Sequence, residues 1–361
     1  MAGERFDTRR NRILLVSASV GISALVGGLA LWGLWPSPPP PGIASEFSFY
    51  DQWGRPVSGR AGALKLVLDP ATIYANWPAQ RTEAFTIDEH GFRATPRRPG
   101  RPQIVLLGGS AAFGWLLASD QATFAVKLAE RMTAYDVLNA AVIGFQSGQE
   151  LSLMIHRLDN PHVTAYVAFN AWNDLFDPIG ESTPMRTASV LGFNNTFLLI
   201  QDRLSEFNRY QGGTIAERDR LVPARVPQMS LDEYAALITD IYLRNVDRMR
   251  AFARARGARF LLVLQPEIGS KPLPSPDEQN TLARWDTLKG YVRRGFPDRY
   301  AAMRKAAVEF CARQQIACLD MSSAPEFRAE RETLFIDTVH LNERGHRLAA
   351  DLIERRLREL R

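Results

Sequence analysis

From Gln103 onward, short continuous apolar runs alternate along the chain with longer stretches whose apolar positions recur at helical spacing. Ile104-Val105-Leu106-Leu107 ends at a pair of glycines and reads as a strand buried on both faces. The pattern predicts a helix from about Asp120 to Met132 and a second strand at Val137-Leu138. Ser147-Gly148-Gln149-Glu150 has the form of a capping box and opens a helix that runs to about Leu158. Thr164 to Phe169 is a third strand, and a second capping box, Ser230-Leu231-Asp232-Glu233, starts a long helix that stops at Gly257. Arg259 to Leu264, Arg299 to Gln314, Ile316 to Met321 and Gly345 to Leu360 then follow as strand, helix, strand and amphipathic helix. Repeated units of this kind predict an α/β domain, a parallel sheet with helices on both faces and its site at the carboxyl ends of the strands.

Two stretches stand outside that repeat. Residues 45–102 read as a small section of short strands and turns, closed by a proline- and arginine-rich link from Pro96 to Pro102. Residues 176–229 form an insertion with Phe197-Leu198-Leu199-Ile200, Leu204 and Phe207 at helical spacing. That apolar face would serve for packing on the core, for a lid or acyl-binding wall, or for membrane contact.

The N-terminus carries a different signal. Residues 13–35 contain no charge, and a helix of that length spans a bilayer core of about 30 Å. Arg5, Arg9, Arg10 and Arg12 precede it, and Trp32 and Trp35 close it. The excess of arginine places residues 1–12 in the cytoplasm and everything after Trp35 outside. The expectation is a single-pass protein of the cytoplasmic (inner) membrane, with its C-terminal domain in the periplasm if the source is bacterial. A cleaved signal peptide is the alternative, but such peptides have apolar regions of roughly 7–15 residues. Ser17, Gly21 and Ala24 share one face of the helix, which would allow pairing into a homodimer. Residues 36–44 are rich in proline and would act as an extended spacer. In an oxidising compartment Cys311 and Cys318 could form a disulfide, the alternative being two buried free thiols. Two cysteines alone cannot make a four-ligand zinc site.

Composition narrows the function classes. Hydrophobic residues make up 46% and charged residues 23%, a globular balance. The formal charge of +5 is scattered, with no basic run interleaved with aromatics, so nucleic acid is not an expected partner.

The loop after the first strand reads Leu107-Gly108-Gly109-Ser110-Ala111-Ala112-Phe113-Gly114. It lacks the Gly-Lys-Ser/Thr of a P-loop and the Gly-x-Gly-x-x-Gly of a dinucleotide fold. What remains is a serine at a strand tip, whose plainest role is a helix N-cap and whose chemical role would be a nucleophile. A nucleophilic serine needs a base, and the chain has five histidines. His90 lies in the irregular section, His156 and His346 fall inside helices, and His162 sits at the wrong end of the third strand. His340 alone occupies a loop after the fifth strand with a carboxylate three residues earlier, in Asp337-Thr338-Val339-His340. In a turn-like loop that spacing lets Asp337 reach Nδ1 and leaves Nε2 free to face a serine, the alternative being a surface ion pair. Gly144 and Asn173, each following a strand, could supply donors to an oxyanion.

Taken together and in this order, these segments resemble the motif blocks of the SGNH (GDSL-type) hydrolase family, over roughly residues 85–360. Gly108-Gly109-Ser110 resembles the first block, Gly144 the glycine of the second, Ala171-Trp172-Asn173-Asp174 the third, and Asp337-Thr338-Val339-His340 the fifth. His90-Gly91-Phe92-Arg93 is similar to the lead-in of membrane-anchored members. The resemblance implies a flavodoxin-like three-layer α/β fold with a five-stranded parallel sheet over residues 103–361. It further implies a triad of Ser110, Asp337 and His340, and an oxyanion hole of Ser110, Gly144 and Asn173. Gly109 stands where members often have aspartate, and Ala171 where the third block usually has glycine, which would bear on the placement of Asn173. The activity implied is that of a serine esterase without metal or organic cofactor. It would act on O-acetyl or other acyl esters of envelope glycan or lipid. The same site would also serve an O-acyltransferase, and a non-catalytic glycan-binding protein of envelope polysaccharide export is the reading from another class.

Overall fold

The computed structural model describes residues 47–50, 56–59, 64–175, 230–289 and 295–360. The expected anchor at 13–35, the linker at 36–44 and the insertion at 176–229 lie outside them. Among the described residues no helix is long and apolar enough to cross a membrane.

The section before residue 103 forms two small sheets. Strands β1 (Phe47–Tyr50), β2 (Pro56–Gly59), β3 (Leu64–Asp69) and β4 (Ile73–Asn76) make a four-stranded sheet in the order β2-β1-β3-β4. Strands β5 (Gln80–Arg81) and β6 (Thr86–Ile87) make a short antiparallel pair. The β3–β4 hairpin docks on the larger domain through its polar atoms. Asn76 Nδ2 donates to Ala141 O at 3.2 Å, Gln149 Nε2 to Thr72 O at 3.0 Å, and Ser152 Oγ to Ala71 O at 2.6 Å.

The larger domain is built on β7 (Gln103–Gly108), β8 (Asp136–Asn139), β9 (Val163–Asn170), β10 (Arg259–Leu264) and β11 (Ala317–Asp320), paired in parallel throughout in the order β11-β10-β9-β7-β8. Counted within the sheet this is the 2-1-3-4-5 order of the flavodoxin-like class, and its switch point lies between β7 and β9. Val105, Leu106, Val167, Leu262 and Val263 have no exposed surface. Burying each such side chain contributes about 1.5–3 kcal/mol, which explains why these strands show apolar runs and no alternation.

Around the sheet lie α1 (Ser110–Phe113), α2 (Phe124–Arg131), α3 (Ser147–His156), α4 (Leu231–Ala255), α5 (Pro276–Lys289), α6 (Phe296–Gln314), α7 (Pro325–Ala329) and α8 (Glu343–Glu359). Helix α2 packs with α8, while α3 and α6 both pack with α4. Two helical groups of that kind are what right-handed crossovers lay on the two faces of a parallel sheet.

The sequence expectations need four amendments. The helix expected from Asp120 divides into a 3-10 turn at Asp120–Ala122 and α2, because Thr123 caps α2 by accepting from Val126 N at 3.3 Å. Ser147 is not the cap of α3: Gln146 holds that position and forms the capping box with Gln149. Helix α5 was not expected, although Ser275-Pro276-Asp277-Glu278 is itself a capping box, with Ser275 N donating to Glu278 Oε2 at 2.8 Å and Glu278 N to Ser275 Oγ at 3.3 Å. Lastly, Cys311 and Cys318 are free thiols, and the cross-link expected of them is not formed. They hydrogen-bond each other, which holds the Cys311 thiol down and pushes the Cys318 thiol up.

Candidate active site

The turn after β7 is set by its glycines. Gly108 has φ +148°, and a Cβ there would lie 2.4 Å from the carbonyl oxygen of Phe169 on β9. Only glycine allows so close an approach. Ser110 is the first residue of α1, and Gly109 takes the N-cap position without a side-chain cap. The capping role open to Ser110 from sequence is therefore not the one it takes. Its Oγ lies 2.8 Å from Nε2 of His340.

Arg93, at the end of the His90-Gly91-Phe92-Arg93 segment, braces this turn from below. Buried, it donates to Phe113 O at 3.0 Å, Gly114 O at 2.7 Å and Ala84 O at 3.0 Å, and its Nε to Asp120 Oδ1 at 2.8 Å. The guanidinium also lies 4.9 Å from the centre of the Phe113 ring. Burial lowers its pKa, against the opposing pull of Asp120.

Asp337 and His340 share one loop. His340 Nδ1 lies 2.6 Å from Asp337 Oδ2, and Asp337 Oδ1 accepts from the amides of Val339 at 2.9 Å and His340 at 2.8 Å. Burial raises the Asp337 pKa, but the charge of His340, its hydrogen bond and the two amides outweigh that and leave the pKa below the usual value. A carboxylate against Nδ1 favours the tautomer with its proton there, which leaves the Nε2 lone pair for Ser110. The loop is anchored at several points. Ile268 N donates to Thr338 O at 2.9 Å, and Ile336 N to His340 O at 2.8 Å. Upstream, Glu278 Oε1 accepts from Leu334 N at 2.7 Å, while its Oε2 lies 2.6 Å from Lys271 Nζ. Lys271 also donates to Glu332 O at 2.5 Å. Both side chains of this ion pair are fully buried. Sequence reading missed it because its signal lies in the capping box of α5.

The candidate oxyanion donors come from the segments around Ser110 and after β8 and β9. Among the described residues, the backbone amides of Ser110 and Gly144 donate to no protein acceptor. Gly144 has φ +73°. Asn173 Nδ2 donates one hydrogen to Phe145 O at 2.9 Å, and Gln146 Nε2 donates to Asn173 O at 3.2 Å. Ala171 sits at φ +95°, where alanine is strained and glycine would not be. The strand end holds nonetheless, because Asp174, one residue past Asn173, accepts from Ser147 N at 3.1 Å and Ser147 Oγ at 2.5 Å.

Behind this strap lies a buried acidic pair. Burial pushes the Asp174 carboxyl up to about 7, against the lowering effect of the Ser147 bonds. Burial, followed by the charge of Asp174, raises Glu150 well above the carboxylate range, although Asn170 Nδ2 donates to Glu150 Oε2 at 2.5 Å. Tyr242 OH donates to Asn170 Oδ1 at 2.9 Å and completes the network.

The remaining histidines are elsewhere. His90, His156 and His162 are exposed. His346 is buried in α8, stacks on Phe124, and accepts from Phe124 N on Nδ1 at 3.1 Å. Burial, and then the positive charges of Arg93, His340 and Lys127, hold its pKa down to about 3. Among the described residues no group of three or more His, Cys, Asp or Glu side chains could hold a metal ion. The structure thus brings Ser110, His340, Asp337, Gly144 and Asn173 to the carboxyl ends of β7, β8 and β9 and the loop beyond β11. A hydroxyl hydrogen-bonded to an imidazole nitrogen can be deprotonated as it attacks a carbonyl carbon.

The sequence matches no protein-family model and has no significant similarity to a curated protein. Similar solved structures include a GDSL-like lipase from Bacteroides thetaiotaomicron, at 13% identity and a TM-score of 0.41 over 74% of this chain and 93% of that one. An acetyl xylan esterase is similar at 14% identity and a TM-score of 0.40, over 70% of this chain and 97% of that one. The protein TesA is similar at 14% identity and a TM-score of 0.40, over 72% of this chain and 99% of that one.

Proposed function

We propose that the chain is a membrane-anchored serine esterase of the SGNH type that removes acyl groups, O-acetyl above all, from ester-linked envelope glycan or lipid. The observation that carries the reading is the unbroken relay from Ser110 Oγ to His340 at 2.8 Å and from His340 to Asp337 at 2.6 Å. In the scheme, Ser110 Oγ attacks the ester carbonyl carbon as its proton passes to His340 Nε2. The carbonyl electron pair moves onto oxygen, which takes hydrogen bonds from the amides of Ser110 and Gly144 and from Asn173 Nδ2. Collapse breaks the bond from acyl carbon to alkoxy oxygen, His340 returns its proton to that oxygen, and acyl-Ser110 remains. Water then repeats the attack, yielding a carboxylic acid and free Ser110. Asp337 stays ionised throughout and stabilises the imidazolium.

The uncharged segment 13–35 behind four arginines supports the anchor, and an anchored domain would have envelope esters within reach. The test is covalent labelling of the full chain in membranes with a fluorophosphonate, followed by release of acetate from acetylated glycans and aryl esters. Labelling of wild type and not of Ser110→Ala, with free acetate as product, is the expected result. Equal labelling of both proteins would overturn the assignment of the nucleophile. Acetyl label appearing on a glycan acceptor would replace hydrolysis by transfer. Oligosaccharide binding without any labelling would replace catalysis by a binding role.

A further inference from the structure

Val142 to Phe145 is a tight turn, closed by Phe145 N donating to Val142 O at 3.2 Å. Gly144 is its third residue, and φ of +73° there is the mark of a type II turn. Type I and type II turns differ by a flip of the central peptide, here the one joining Ile143 to Gly144. A trans peptide is planar, with its C=O and N–H pointing in opposite directions. The flip therefore exchanges where Ile143 C=O and Gly144 N–H point.

Among the described residues, one side chain holds that peptide. Tyr74, on β4 of the N-terminal sheet, is 2% exposed and donates its hydroxyl to Ile143 O at 3.0 Å. The same hydroxyl lies 2.8 Å from where a Cβ on Gly144 would stand. The ring packs edge-on against Phe145 at 5.4 Å between centres, and Asn76, two residues on, donates to Ala141 O at 3.2 Å. The hairpin thus grips the turn at several points, and among the described residues the Tyr74 hydroxyl is the side-chain group that holds the Ile143 carbonyl.

We propose that Tyr74 is a positioning residue for ester hydrolysis: by holding Ile143 C=O it aims Gly144 N–H into the oxyanion hole. This rests on the esterase reading above. The hydroxyl bond also polarises the peptide, so that the amide opposite becomes a better donor. A developing oxyanion needs that donor more than the bound ester does, so the effect falls on turnover and not on substrate binding.

The test compares wild type, Tyr74→Phe and Thr72→Val as full chains. Thr72 Oγ1 donates within the same hairpin, to Tyr74 O at 2.9 Å, without touching the turn, and controls for a loosened hairpin. Tyr74→Phe is expected to lower kcat on an aryl acetate about tenfold with KM within twofold, and to weaken a boronic acid inhibitor in the same proportion. Thr72→Val should keep wild-type kcat. A Tyr74→Phe enzyme with kcat within twofold of wild type, or a Thr72→Val enzyme that loses as much, overturns the proposal. A second readout needs no activity: in glycine-selective 15N spectra, Tyr74→Phe should displace the Gly144 amide resonance, and Thr72→Val should not. If wild type is never labelled at Ser110 the esterase reading fails by itself, and this spectrum still decides whether Tyr74 sets the peptide. An unmoved Gly144 resonance overturns that claim.

Discussion

Gly109 and Asn173 divide one small volume between them: a Cβ built on Gly109 would lie 2.3 Å from Nδ2 of Asn173 and 3.1 Å from Phe145 O. The first of these is the side-chain amide that the proposed scheme assigns to the oxyanion, and the second is its hydrogen-bond acceptor. Glycine at 109 is thus the one residue compatible with this position of Asn173. Gly109→Ala should push the Asn173 side chain aside and remove a donor. We expect kcat lower by about 10–100-fold with KM little changed, since removing one such donor costs on the order of 100–1000-fold. Steady-state kinetics on an aryl acetate check this, and wild-type kcat in the variant would refute it.

Asp174 ties stability to pH. In the folded chain it keeps its proton up to about 7, whereas an unfolded aspartate releases it near pH ~4. Between those values the folded state binds more protons, so this group's contribution to stability falls as pH rises. Asp174→Asn should therefore match wild type near pH 4 and exceed it at pH 8, by on the order of 2–4 kcal/mol. Denaturation midpoints of both proteins across that range decide the matter, and a difference independent of pH would contradict it.

The Lys271–Glu278 pair supports the loop before Asp337. Breaking a buried ion pair from one side costs about 3–5 kcal/mol, because the other charge is left without compensation. Glu278→Gln should fall in that range and also slow labelling of Ser110, since Glu278 holds the amide of Leu334. Adding Lys271→Met should recover part of the stability. Urea titrations of the single and double variants provide the comparison, and a double variant less stable than Glu278→Gln would count against this account.

Ala171 offers a test of strain. Its φ of +95° costs an alanine about 1–3 kcal/mol. Ala171→Gly relieves that but loses a buried methyl group and adds chain entropy to the unfolded state, each worth roughly 0.5–1 kcal/mol. Stability should remain within about 1 kcal/mol of wild type. Ala171→Val has no such relief, and a β-branched residue at positive φ should cost about 3 kcal/mol or more. Thermal unfolding of the two variants should show this asymmetry, and equal losses would argue against strain.

The sheet was legible because its central strands β7, β9 and β10 carry long apolar runs bounded by turn signals, whereas β8 and β11 show only two or three apolar residues each. Asp337 and His340 were legible as a local pair, three residues apart in one loop. Ser110 was harder, since a serine at a strand tip reads equally well as a cap, and only its meeting with His340 decides between the two. What the sequence hid were partnerships between distant segments: Tyr74 with Ile143, Arg93 with Phe113 and Gly114, Glu278 with Leu334. Each of these side chains is ordinary in its own surroundings, and its role appears only once another part of the chain arrives. The capping boxes show the same limit at short range. Ser147 fitted the motif, but Asp174 holds its hydroxyl, and Gln146 caps the helix instead.

Ser110 and His340 are separated by 230 positions in the chain. On the esterase reading, a nascent or truncated polypeptide that ends before the loop beyond β11 contains the hydroxyl but not the imidazole that faces it in the folded chain. On that reading competence arrives only with the loop that precedes α8, after all five parallel strands have been made. In a refolding experiment, the appearance of probe-reactive serine would therefore time the last step of assembly, and circular dichroism of the earlier helices would run ahead of it.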